Sequence, residues 1–101
     1  MLRNLFLIPA GALMLMQVGC SATQERALEL DSVAERNQQL AAELTHQASG
    51  LIESDPDEAM RLLRLAVEAD LFHGPAHNNI GVILLNQGML YEAAEEFDWA
   101  R

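Results

Sequence analysis

The chain contains no lysine. Its only cations are six Arg, set against 15 Asp and Glu in 101 residues, for a formal net charge of −9. Without a basic cluster nothing replaces the counterions of a phosphate backbone, which argues against nucleic acid as a partner. Cysteine occurs once, at Cys20, so no intrachain disulfide can form. β-branched residues are sparse and no stretch alternates apolar with polar positions for long, so strands have little support. No apolar run reaches the roughly 20 residues that a membrane span needs. A chain of this length holds one small domain at most, which excludes the core of a large enzyme.

What is present begins at the amino terminus. Arg3 is the only charge ahead of residues 5–16, a run without charge that Pro9 and Gly11 interrupt. A basic start followed by a short apolar stretch has the build of a secretory signal peptide. Gln17-Val18-Gly19-Cys20-Ser21 comes next. These residues resemble the lipobox of bacterial lipoproteins, in which a small residue precedes a Cys that accepts a diacylglyceryl group and becomes the new amino terminus. Gly19 and Cys20 fit that pattern, whereas Gln17 stands where the family prefers Leu. The resemblance implies lipidation of Cys20 after removal of residues 1–19. Because Ser21 rather than Asp follows, it also implies an outer-membrane anchor facing the periplasm. Without lipidation the same segment reads as an apolar inner-membrane anchor, or as a signal peptide that releases a periplasmic or secreted protein. The processed chain would carry five Arg and fifteen acids, about −10, and would not lie flat on anionic lipid. Two or three acyl chains would have to do the anchoring.

The remainder reads as helical throughout. Ser21 with Gln24 makes a capping box, and no Pro or Gly interrupts residues 22–49, which predicts one long helix from about Ala22 to Ile52. Leu30, Val33, Leu40, Leu44 and Leu51 recur at alternating three- and four-residue steps, with Asn37 and Gln47 in the intervening seam positions, a diluted heptad. Gly50 weakens the helix end. Asp55 then offers an N-cap, Pro56 a first helical position, and Asp57 and Glu58 carboxylates for the positive end of a helix reaching Asp70. Arg61 is placed to pair with either acid. Gly74-Pro75 opens a third helix to about Gln87, Gly88 closes it in a left-handed cap, and a last helix starts at Leu90.

Small residues return at a fixed interval. Ala59, Leu63 and Ala66 recur 34 residues later as Ala93, Phe97 and Ala100, and the helix between supplies His77, Ile80, Gly81 and Leu84. This pattern resembles the tetratricopeptide repeat (TPR). The physical reason for such residues is close packing: Gly81, Ala93 and Ala100 lack bulk, so two helices approach, while Ile80, Leu84 and Phe97 fill the gaps. The preceding unit is degenerate, since a 34-residue step back from Ile80, Gly81 and Leu84 reaches His46, Gln47 and Gly50. A turn one residue shorter aligns Gln47, Ala48 and Leu51 instead. About one and a half repeats would be marginal alone. That predicts either pairing with itself or a partner, or a front portion of a longer repeat protein.

Signals for catalysis are weak. His73, His77 and Asp70 suggest a zinc set, but Gly74-Pro75 between the two His spoils helical ligand geometry and no HExxH is present. The carboxylates lack a nucleophile, and Gly74, Gly81 and Gly88 are spaced as turn, packing and cap residues rather than as a phosphate loop. No catalytic residue, metal ligand or cofactor is expected. The resemblance implies a groove lined by the first helix of each repeat, where Asn78, Val82, Leu85 and Asn86 would face outward. Asn side chains suit a peptide backbone, and Val82 and Leu85 an apolar side chain. No basic residue lies between Arg64 and Arg101, which argues against an acidic ligand. On a helical wheel Trp99 points away from Ala93, Phe97 and Ala100, as an interface residue would.

The sequence therefore predicts an all-α chain: a long amino-terminal helix followed by a helix-turn-helix repeat, a TPR-like α-solenoid fragment. Residues 1–19 read as a signal peptide, 20–53 as a lipidated Cys and helical spacer, and 54–101 as the repeat region. The expected function is a non-catalytic, membrane-tethered adaptor that holds other proteins of the cell envelope. The alternatives are a spacer that forms a homodimer through its heptad, or an inactive fragment.

Overall fold

The computed structural model describes the backbone of residues 7–101 and the side chains of residues 21–101. The signal peptide and the Cys20 thiol read from the sequence lie outside the described side chains. Four helices follow one another: α1 (Leu7–Ser49), α2 (Pro56–Ala69), α3 (Gly74–Asn86) and α4 (Leu90–Trp99). No strand occurs among the described residues. The chain divides into two compact units, Met1–Ala34 and Glu35–Arg101, and α1 contributes to both.

Helix α1 differs from expectation at both ends. It begins at Leu7 rather than at the Ser21 capping box. Leu, Ala and Met across residues 10–16 are strong helix formers, and Pro9 falls in the first turn, where its missing N–H costs no internal hydrogen bond. It ends at Ser49, ahead of Gly50, and not at Ile52. Backbone bonds from Leu51 N–H to Ala48 and from Asp55 N–H to Leu51 hold the turn that follows.

In the first unit residues 21–30 are all exposed, and Leu30, at 70% exposure, and Val33 join Arg26 and Glu29 around a shallow hollow. The heptad is therefore not the buried seam of α1. Leu40 is half exposed, and only Leu44 and Leu51 of that series pack against the core. The buried face of α1 is instead Ala41, Thr45 and Ala48, small residues one and two turns apart. Thr45 is tolerated there because its hydroxyl donates to the Ala41 carbonyl at 2.7 Å.

The core of the second unit gathers Ala41 and Ala48 with Ala59, Leu62, Leu63 and Ala66 of α2. Ala76, Ile80 and Ile83 of α3 complete it. Ala48 lies 33 residues before Gly81 and both are buried, so the shorter turn register brings small residues to matching depth.

Local signals fix the helix ends. Asp55 accepts the Glu58 N–H at 3.2 Å with Pro56 in the first turn, as its N-cap assignment predicts. Arg61 donates two hydrogen bonds to Glu58, which holds that carboxyl below its ordinary range. After α3, Gly88 takes φ +78°, while Gly88 N–H bonds to Leu85 and Met89 N–H to Leu84. This is a Schellman cap, and it brings the Met89 backbone to the Leu84 carbonyl.

Helices α3 and α4 run antiparallel in close contact. A Cβ on Gly81 would lie 2.5 Å from Phe97 Cε1, and one on Gly74 would lie 2.9 Å from the Ala100 carbonyl oxygen. Gly81 and Ala93 are buried, and Phe97 and Ala100 partly so. Gly81→Val should therefore destabilise the chain by about 1–3 kcal/mol, read as a lower urea midpoint. Phe97→Leu in the same chain should recover part of that loss, because it removes the ring the new side chain meets; additive losses would count against the contact.

Candidate functional site

Two surfaces of the second unit are candidates. The first is the outward face of α3 expected from the sequence. Asn78, Val82, Leu85 and Asn86 do share one side of that helix: Asn78, Leu85 and Asn86 are exposed and Val82 is half-buried. Asn86 also borders a small hollow with Ile52, Pro56 and Ile83 at the turn between α1 and α2. These side chains offer amide hydrogen-bonding groups around an aliphatic centre.

Trp99 does not join them. It is half exposed, at 52%, but one face of its indole stacks on His77, with ring centroids 5.8 Å apart and planes 20° apart, and Phe72 lies 6.3 Å away in a tilted arrangement. The wheel placed Trp99 away from the packed stripe of α4, yet the stripe is narrow and α3 is close enough for a large ring to reach it from the side.

His77 holds this corner together. It is 4% exposed, and its Nε2 sits 2.8 Å from the Leu71 carbonyl oxygen. A carbonyl only accepts, so Nε2 carries a hydrogen. Its Nδ1 lies 2.7 Å from Glu96 Oε2, within hydrogen-bond distance. Both ring nitrogens are thus engaged, and neither is turned toward His73 as a common ligand would require. No group of three or more His, Cys, Asp or Glu among the described residues is arranged to hold a metal. Asp70 is used otherwise, accepting the Phe72 N–H at 3.1 Å to close the α2–α3 turn.

The second surface was not read from the sequence. A groove of about 500 Å³ runs between α2 and α4 over α3. Its floor is Met60 and Val67 of α2, Ile80 and Leu84 of α3, and Met89. Its rim carries Glu68, Glu92 and Glu95, all exposed, with Glu96 bound to His77 and Arg64 as the one cation. The signal was available: Met60 and Val67 sit one place after the buried Ala59 and Ala66, which widens the apolar face of α2 beyond what its own hairpin needs.

Among the described residues no helix is long and apolar enough to cross a membrane. Comparisons with protein-family models, curated protein sequences and solved structures gave no match to this chain.

His77→Ala should cost about 2–3 kcal/mol, since it leaves the Leu71 carbonyl and the Glu96 carboxylate without their partner. Trp99 is the chain's only Trp, so its emission should shift to longer wavelength as the stacked face opens to water. An unchanged spectrum and midpoint would show that the clasp contributes nothing.

Proposed function

We propose that this chain is a non-catalytic adaptor of the tetratricopeptide type, tethered through a lipid on Cys20 to the outer membrane and facing the periplasm. The helical stretch after Cys20 serves as a spacer and the helices from Pro56 onward hold a protein partner of the cell envelope. The observation that carries the reading is the close antiparallel pairing of α3 and α4. Gly81 beneath Phe97 lets two short helices form a rigid pair, and that pair presents Asn78, Leu85 and Asn86 to solvent. No cofactor or metal enters this function.

A second reading, a dimeric spacer, is favoured by one observation: Leu30, Val33 and Leu40 are exposed along α1 although they follow a heptad. Sedimentation separates the two. An adaptor remains a monomer across concentration, and Leu40→Asp leaves it unchanged; a spacer shows a concentration-dependent dimer that Leu40→Asp abolishes. For the adaptor itself, a photocrosslinker at Asn78 should trap a defined envelope protein in cells, and Leu85→Glu should remove that adduct. Failure to trap any protein, together with a dimer, would replace the adaptor by the spacer.

A further inference from the structure

We infer that the groove between α2 and α4 binds a basic amphipathic helix of a partner protein. The inference rests on the adaptor reading and adds to the α3 face a second contact surface and the chemistry of its ligand. The groove is lined by apolar side chains in contact with solvent, and its floor is adaptable, since Met60 and Met89 have unbranched, polarisable side chains that fit differing shapes. Met60 and Val67 are seven residues apart, two turns or about 10 Å along α2. That span matches apolar anchors at i, i+3 or i+4, and i+7 on a docked helix.

The rim selects the charge of the occupant. Three exposed carboxylates, Glu68, Glu92 and Glu95, face one guanidinium, Arg64. Like charges at such a boundary repel wrong partners, while opposite charges speed encounter. An acidic peptide or an anionic lipid surface is disfavoured. A second copy of the chain is disfavoured too, because each copy carries a formal −9. A helix with Leu on one side and Lys or Arg flanking it satisfies both floor and rim. Arg64, between Met60 and Val67 in sequence, leaves room for one acid within that basic border.

The test titrates the full chain, in non-ionic detergent, into a labelled 16-residue helical peptide with Leu at i, i+3, i+4 and i+7 and Lys on its flanks. A matched peptide carries Glu in place of Lys. The basic peptide should bind saturably and weaken as salt rises, and the acidic one should bind at least tenfold less well. Glu92→Arg/Glu95→Arg should weaken the basic peptide at least tenfold. Glu35→Arg/Glu43→Arg makes the same change in net charge on α1 and should leave binding within twofold. Met89→Glu, at an exposed floor position, should also reduce binding while circular dichroism remains that of the parent chain. Equal effects of the two double variants would reduce the interaction to net charge and overturn the inference, as would absence of saturable binding. Equal binding of both peptides, lost with Met89→Glu, would keep the groove and the adaptor reading but overturn a basic ligand. Failure of the Asn78 photocrosslinker to trap any protein in cells would instead strike the adaptor reading itself.

Discussion

The approach of α3 to α4 at Gly81 constrains the rest of the second unit. The Phe97 ring occupies the volume that any side chain at position 81 would need, so the two helix backbones pack more closely than larger residues would allow. That closeness lets Trp99 reach across to His77 and lets His77 reach Glu96. It also determines which sides of α3 remain for solvent.

Much of this was legible because the deciding signals are local or strictly periodic. Asp55-Pro56, Gly74-Pro75 and Gly88 each act within a few residues, and the structure puts helix boundaries at them. The recurrence of Ala59, Leu63 and Ala66 as Ala93, Phe97 and Ala100 marks the stripes that α2 and α4 turn inward, although Phe97 and Ala100 are only partly covered. Less legible was the face that α1 turns to the core of the second unit, where size decides. On α1 Ala41, Thr45 and Ala48 are buried, whereas the larger Leu40 is half exposed. A helix lying close to another selects its thin side, and a seam of leucines is then left at the flank.

The stacking of Trp99 on His77 and the groove were not legible for a different reason. A helical wheel treats each helix as alone, whereas both features depend on where a second helix stands. Trp99 is outward on α4 but lies over α3, and Met60 and Val67 are marginal on α2 until α4 places Met89 and its glutamates opposite. The Schellman cap at Gly88 contributes directly, because it turns Met89 back toward Leu84. Charge composition carried further than expected: the scarcity of cations that argued against nucleic acid and acidic peptides is also what makes the rim of the groove anionic.

The clasp at His77 has an effect on how the chain comes apart. One imidazole joins a carbonyl in the α2–α3 turn to a carboxylate on α4, so displacing α4 would also remove one of the contacts that hold that turn. Opening of α4 and loosening of the α2–α3 turn are thereby linked through a single side chain.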